Sequence, residues 1–140
     1  MIRNDEYAPW RLVFVYGTLQ RAFGNHRTMQ AQNGRFVGTA KTEANYPLIV
    51  SGLPYLVDSE GEGMQVHGEA YLVNSFTHLD RLEGHPRFYE RKMRNIEFLD
   101  ECMPYGFYPK QGEVHEAWMY FINSHKPTGQ PVQSYERATY

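Results

Sequence analysis

The sequence predicts an α+β fold, a small mixed β-barrel with one or two short peripheral helices. Six or seven short apolar or alternating segments recur about every ten residues, and turn-forming residues separate them. Only two segments, 25–32 and 75–83, carry the signals of a helix. A doubly wound α/β sheet needs a helix between most of its strands, and this sequence provides too few.

Two hydrophobic patterns predict the strands. The continuous apolar run at 12–16 is typical of a strand that is covered on both faces. Short runs at 47–50 and 54–57, separated by Ser51-Gly52, predict a hairpin with proline near the start of each strand. Alternation of apolar and polar residues predicts the remaining strands, over 35–43, 66–73, 89–99 and 114–122.

The helix over 75–83 is predicted from its cap and its stop. Ser75 suits the N-cap position, and Gly84 is expected to end the helix, with a proline two residues beyond. Three apolar residues at helical spacing form the stripe that faces the core: Phe76, Leu79 and Leu82. The shorter helix begins at Asn25 and extends to about Gln32.

Length and composition predict a single domain over residues 1–140. The core is expected at 11–122, and 123–140 are expected to be a loosely attached polar tail. The 14 Lys+Arg and 16 Asp+Glu give a net charge of −2, which argues against a nucleic-acid partner or an anionic membrane. Without a signal-peptide pattern or a membrane-length apolar run, we expect a cytoplasmic protein with no membrane partner.

The cysteine and histidine pattern argues against a metal. A lone cysteine, Cys102, excludes an internal disulfide and makes a cysteine-based zinc site improbable. His67-Gly68-Glu69 resembles half of a metal site, but no second histidine pair lies at ligand spacing. We therefore expect neither a metal nor a cofactor.

The first strand ends in Tyr16-Gly17-Thr18-Leu19. A glycine at this turn lets a ligand approach the backbone, and successive N–H groups can form a concavity that binds a carboxylate or an oxyanion. An ordinary strand-to-loop turn explains the same residues. A nucleotide phosphate loop does not, because six residues separate Gly17 from Gly24 and no Lys-Ser/Thr follows.

Glu83 is the candidate for proton transfer. It lies four residues after Leu79 on the predicted helix, so its carboxylate is directed along the buried stripe. Burial and the negative end of the helix dipole both raise the pKa of a carboxyl group, towards the value that a general base needs at neutral pH. The alternative is a buried ion pair with Arg91, Arg87 or Lys92. Asp80 is placed nearer the polar side of the helix.

These two motifs together resemble the gamma-glutamylcyclotransferase-like superfamily, and most of all its small gamma-glutamylamine cyclotransferase branch. The resemblance covers roughly residues 12–122 and adds two strand motifs, His67-Gly68-Glu69-Ala70-Tyr71 and Ala117-Trp118-Met119-Tyr120. The helix motif reads Leu79-Asp80-x-Leu82-Glu83-Gly84-x-Pro86, followed by Tyr89-x-Arg91. The resemblance implies a small mixed barrel, in agreement with the fold predicted above.

The resemblance also implies residue roles. Tyr16, Gly17, Thr18 and Leu19 would hold the substrate's α-carboxylate and γ-carbonyl, Glu83 would be catalytic, and Tyr120 would supply a polar wall. The implied substrate is a small γ-glutamyl-amine, whose α-amine attacks the γ-carbonyl and releases 5-oxoproline and a free amine without a cofactor.

Two alternatives stay open beside this function. One is a cyclotransferase that removes a γ-glutamyl group from a biosynthetic metabolite. The other is a non-catalytic module that binds a small carboxylate or amine in the same cavity. The aromatic loop at 100–112 is a candidate lid over the leaving group, because it carries Tyr105, Phe107 and Tyr108.

Overall fold

A computed structural model describes residues 10–21, 25–31, 34–100 and 109–135. Every predicted segment corresponds to an element of the structure. The elements in chain order are β1 (Arg11–Val15), α1 (His26–Ala31), β2 (Arg35–Thr42), β3 (Leu48–Ser51), β4 (Leu53–Leu56), β5 (His67–Val73), α2 (Thr77–Glu83), β6 (Tyr89–Phe98) and β7 (Val114–Ile122).

Five of the strands close a barrel in the order β1-β5-β2-β6-β7. The contact of β1 with β7 is parallel, at Val13 and Trp118, and the other neighbouring pairs are antiparallel. Strands β3 and β4 form a separate hairpin. The prediction of a small mixed barrel with two short helices is therefore confirmed.

From Leu12 to Val15, strand β1 is continuously apolar because these residues contribute to two cores. Leu12 and Phe14 belong to a cluster that fills the barrel, whereas Val13 and Val15 belong to a second cluster on the face that the helices cover. Met29 of α1 and Leu79 of α2 complete this second cluster. Since consecutive side chains of a strand point to opposite faces, no position of β1 between two cores can be polar.

Helix α2 begins later than predicted and ends where predicted. Ser75 Oγ accepts a hydrogen bond from the Thr77 N–H at 3.2 Å, but the residue at the N-cap position is Phe76. Gly84 adopts the left-handed conformation with φ of 66°, which ends the helix and suits glycine. Leu82 is 41% exposed, so the predicted apolar stripe reaches the core only through Phe76 and Leu79.

The tail prediction is wrong for residues 123–135. The Val132 N–H donates to the Leu48 carbonyl, and the Gln133 carbonyl accepts from the His67 N–H, each at 2.9 Å. Val132 also packs against the cluster inside the barrel. Composition missed this attachment because backbone hydrogen bonds hold it, and such bonds leave no mark on the amino-acid composition.

The candidate lid over 100–112 lies mostly outside the described residues, because 101–108 are not described. Cys102 is one of these residues. Within the described ranges, the helices are all too short or too polar to cross a lipid bilayer.

Candidate active site

A cavity of about 190 Å³ opens where β1 leaves the barrel. The loop after β1 forms one wall, hairpin β3–β4 another, and the ends of α2 and β7 the rest. All six residues singled out from the sequence line this cavity: Tyr16, Gly17, Thr18, Leu19, Glu83 and Tyr120. The structure therefore brings together side chains that lie about 100 positions apart.

At the start of the loop after β1, residues 17–19 have their carbonyl groups occupied, whereas their N–H groups are available. The Gly17 carbonyl accepts from the Gln20 N–H at 3.1 Å, and the Thr18 carbonyl accepts from the Asn25 N–H at 3.0 Å. The Leu19 carbonyl lies 3.0 Å from Nδ1 of His26, which donates to it in the matching tautomer. The N–H groups of Gly17, Thr18 and Leu19 have no acceptor among the residues that the structure describes. Three unpaired N–H groups in one turn can bind an anion.

Gly17 is also required by packing. A Cβ atom at this position would lie 2.7 Å from Cγ of Pro54, closer than real Cβ contacts allow. Any side chain at position 17 would thus push hairpin β3–β4 off the loop and widen the cavity. The sequence could not supply this reason, because it depends on where the hairpin docks.

Glu69 fastens the same loop to the barrel wall. Its carboxylate accepts from the Arg21 N–H at 2.9 Å and from Arg21 Nε at 3.1 Å. The Tyr71 hydroxyl donates to the same carboxylate at 2.9 Å, and the Arg21 guanidinium lies over the Phe36 ring. Glu69 is only 9% exposed, and these partners compensate its buried charge.

Glu83 is a partly buried carboxylate that has no hydrogen-bond or ion-pair partner among the described residues. Burial alone raises its pKa from the ordinary 4.5 to about 7. The ion pairs considered as alternatives do not form in the described part of the chain: Arg91 pairs with Asp80, and Lys92 pairs with Asp58. A carboxyl group with this pKa can accept and return a proton near neutral pH.

Three buried tyrosines close to Glu83 donate their protons elsewhere. The Tyr16 hydroxyl donates to the Tyr120 carbonyl at 2.5 Å, and the Tyr89 hydroxyl donates to the Pro54 carbonyl at 2.6 Å. The Tyr120 hydroxyl donates to Oδ1 of Asp80 at 2.6 Å. Burial raises the pKa of all three phenols, and the nearby Glu83 carboxylate raises it further, so they stay protonated.

Asp80 is the functional candidate that sequence reasoning missed. Its carboxylate accepts from the Tyr120 hydroxyl and also from the Arg91 guanidinium, at 3.0 Å from Nε. Asp80 precedes Glu83 by three residues, so the two share one side of α2. The three-residue spacing could have indicated that Asp80 lies near Glu83. It could not indicate the hydrogen bond from Tyr120, which depends on where β7 packs against α2.

The mouth of the cavity is apolar. Leu53, Leu82 and Phe88 line it and are 47%, 41% and 36% exposed. Among the described residues, the lining includes no lysine, arginine or histidine. The described ranges likewise hold no group of three histidine, cysteine or acidic side chains placed to bind a metal ion.

Comparison with known proteins shows that this chain resembles one family along most of its length. The family model described as gamma-glutamyl cyclotransferase, AIG2-like, matches residues 13–138. A gamma-glutamylaminecyclotransferase of Homo sapiens is 32% identical over 117 residues, which cover 78% of this chain and 76% of the human protein. Gamma-glutamylaminecyclotransferase C of Danio rerio is 36% identical over 116 residues, covering 77% and 72% of the two chains. The crystal structure of an AIG2-like protein from Mus musculus superimposes with a TM-score of 0.79 at 28% identity, covering 91% of this chain and 88% of the mouse chain.

Proposed function

Since this chain belongs to the AIG2-like gamma-glutamyl cyclotransferase family and is an enzyme of that type, we propose that its substrate is a γ-glutamyl-amine and that Glu83 carries the protons of the reaction. The observation that supports this assignment most is the position of Glu83. Its carboxyl group, with a pKa of about 7, lines the same cavity as Gly17, Thr18 and Leu19, and neither it nor their N–H groups have a partner in the described part of the chain.

The reaction needs no external nucleophile, because a γ-glutamyl group carries its own. The α-amine attacks the γ-carbonyl carbon, a new C–N bond closes the five-membered ring, and the bond to the leaving amine breaks. The substrate's ammonium gives up two protons in total, and both end on the leaving amine, which departs as an ammonium ion. The products are 5-oxoproline and this amine.

Each wall of the cavity has a role in that scheme. Glu83 accepts the two protons that the α-ammonium loses, one after the other, and passes each to the leaving nitrogen. The N–H groups of 17–19 bind the α-carboxylate and stabilise the charge that develops on the γ-carbonyl oxygen. A cavity of about 190 Å³ keeps the chain folded, so that amine and carbonyl stay close.

The apolar mouth supports an amine as the leaving group. Leu53, Leu82 and Phe88 can pack against an aliphatic stem, whereas a carboxylate next to the leaving nitrogen would find no cation among the described lining residues. A γ-glutamyl-ε-lysine conjugate fits this arrangement, because its carboxylate lies at the far end of a four-carbon stem.

The test is product analysis on a panel of γ-glutamyl conjugates: ε-lysine, alkylamine and alanine. We expect equal amounts of 5-oxoproline and free amine, fastest from the ε-lysine and alkylamine conjugates. Glu83→Gln should release neither product, whereas Glu90→Gln, a matched change at a more exposed carboxylate with a 3.9 Å contact to Lys92, should resemble wild type.

Three outcomes would contradict the proposal. Release of glutamate would indicate hydrolysis by water, and activity in Glu83→Gln would remove Glu83 from proton transfer. Faster turnover of the alanine conjugate would assign a different substrate class to the cavity. A fourth outcome, no turnover of any conjugate by the folded protein, would favour the two alternatives: a non-catalytic binding module or a biosynthetic metabolite as substrate.

A further inference from the structure

The direction of the Tyr120 proton decides what this phenol can do in the cavity. A phenol has one proton to donate, and Tyr120 gives it to Asp80 at 2.6 Å. Tyr120 lines the cavity, and because its one proton is committed to Asp80, its oxygen can only accept a further hydrogen bond. Tyr16 and Tyr89 likewise donate to backbone carbonyls, so none of the three phenols near Glu83 donates to its carboxylate.

Tyr120 differs from the other two phenols because its acceptor is a side chain that is itself held in place. Arg91 donates to Asp80 through Nε at 3.0 Å and through Nη2 at 3.4 Å. The Arg91 guanidinium lies 4.3 Å from the Phe76 ring centroid and 5.1 Å from that of Trp118. Asp80 on α2 is thus bound both to Arg91 on β6 and to Tyr120 on β7.

We propose that Asp80 is a positioning residue that acts through Tyr120: it holds the phenol proton away from Glu83 and leaves the phenol oxygen free to accept a hydrogen bond from the substrate's α-ammonium. The identity of this cation rests on the function proposed above. A hydrogen bond from an ammonium group is charge-assisted, so it contributes more than a neutral one. Tyr120 and Glu83 would then face the same ammonium, one as a permanent acceptor and the other as the base.

The effect of removing Asp80 follows from what faces Glu83. Among the residues that the structure describes, the ionisable groups there are three phenols: Tyr16 directly after β1, Tyr89 on β6 and Tyr120 on β7. The Asp80–Arg91 pair and His85 lie behind Tyr120. Without Asp80, the phenol proton of Tyr120 turns towards the remaining carboxylate, Glu83. A donated hydrogen bond favours the ionised form, so the pKa of Glu83 falls.

A double-mutant cycle tests the proposal through the pKa of Glu83. The variants are Asp80→Ala, Asp80→Asn, Tyr120→Phe and Asp80→Ala with Tyr120→Phe, and the measurement is carbon-13 carboxyl NMR titration, with Glu83→Gln to assign the signal. We expect Asp80→Ala to lower the Glu83 pKa from about 7 towards the ordinary 4.5. Asp80→Asn keeps an acceptor oxygen and should leave it near 7. In the Tyr120→Phe background, Asp80→Ala should cause little further change.

The kinetic counterpart uses the same variants at pH 8. Asp80→Ala should lower kcat/KM about tenfold, the range expected for one hydrogen bond to a charged group. Asp80→Asn should stay within about threefold of wild type, and adding Asp80→Ala to Tyr120→Phe should cost almost nothing more. If Asp80→Ala fails to fold, Asp80→Val fills the space without an acceptor.

The outcomes separate this inference from the proposed function. Asp80→Ala could change the Glu83 pKa equally with Tyr120 and with Phe at position 120. That result would show that Asp80 acts by charge alone and would overturn the proposal. An unchanged Glu83 pKa in Asp80→Ala would overturn it as well. Loss of activity in Asp80→Asn as large as in Asp80→Ala would assign Asp80 to the ion pair with Arg91. If wild type releases no 5-oxoproline, the proposed function fails, and the NMR titration still decides the position of the proton.

Discussion

Glu83→Gln should make the protein more stable at pH 8 and leave its stability nearly unchanged at pH 4. The Glu83 pKa is about 7 in the folded chain against an ordinary 4.5. Below pH 4.5 both states are protonated; as the pH rises to about 7, the unfolded carboxyl group ionises first and the free energy of unfolding falls. Each tenfold difference in proton affinity between the folded and unfolded states corresponds to about 1.4 kcal/mol. For a pKa of about 7 against 4.5, the free energy of unfolding is therefore lower by about 3 kcal/mol above pH 7.

Urea denaturation at the two pH values measures this difference. A neutral amide avoids the cost of a buried charge, so the midpoint of Glu83→Gln at pH 8 should lie roughly 1–3 M above that of wild type. At pH 4 the two curves should nearly coincide. Glu90→Gln is the control, and its change should stay within about 0.5 kcal/mol at either pH. A Glu83→Gln curve that coincides with wild type at pH 8 would refute the reasoning, because the carboxylate would then be solvated or paired.

Two further predictions concern the loop after β1. Gly17→Ala should lower the free energy of unfolding by about 1–3 kcal/mol and reduce kcat/KM, because the new Cβ would lie 2.7 Å from Pro54 Cγ. Adding Pro54→Ala should restore part of both losses. If the double variant shows no rescue, the clash with Pro54 is not the cause. Glu69→Gln should raise KM several-fold more than it lowers kcat, because an amide nitrogen, which cannot accept, replaces one of the two carboxylate oxygens that bind Arg21. Steady-state kinetics measure this, and an unchanged KM would leave Glu69 with a structural role only.

Local pattern was sufficient for the barrel strands and for the two chemical motifs. The apolar run of β1 requires cover on both faces, and that requirement is met by the barrel interior and the helices. The spacing of Glu83 from Leu79 placed its carboxylate beside a buried residue, and burial gives the raised pKa. These features depend on positions within one element or on a single periodicity.

The features that sequence reasoning missed depend on how separate elements dock. Arg91 had two acidic candidates on α2, and only the placement of β6 selects Asp80 over Glu83. Docking of hairpin β3–β4 sets the Pro54 contact that makes glycine necessary at position 17. Periodicity along one element carries no information on such contacts. The roles of Tyr16, Gly17, Thr18, Leu19, Glu83 and Tyr120 stay predictions, as does the single-domain organisation.

The pH dependence of kcat/KM tests the role of Glu83 most directly. The substrate is the γ-glutamyl-ε-lysine conjugate, and 5-oxoproline release is measured between pH 5 and pH 9. A base with a pKa of about 7 must be ionised to accept the proton, so kcat/KM should fall about tenfold per pH unit below pH 7 and level off above it. A rate that stays level down to pH 5 would contradict the account, because proton transfer would then not depend on this carboxyl group.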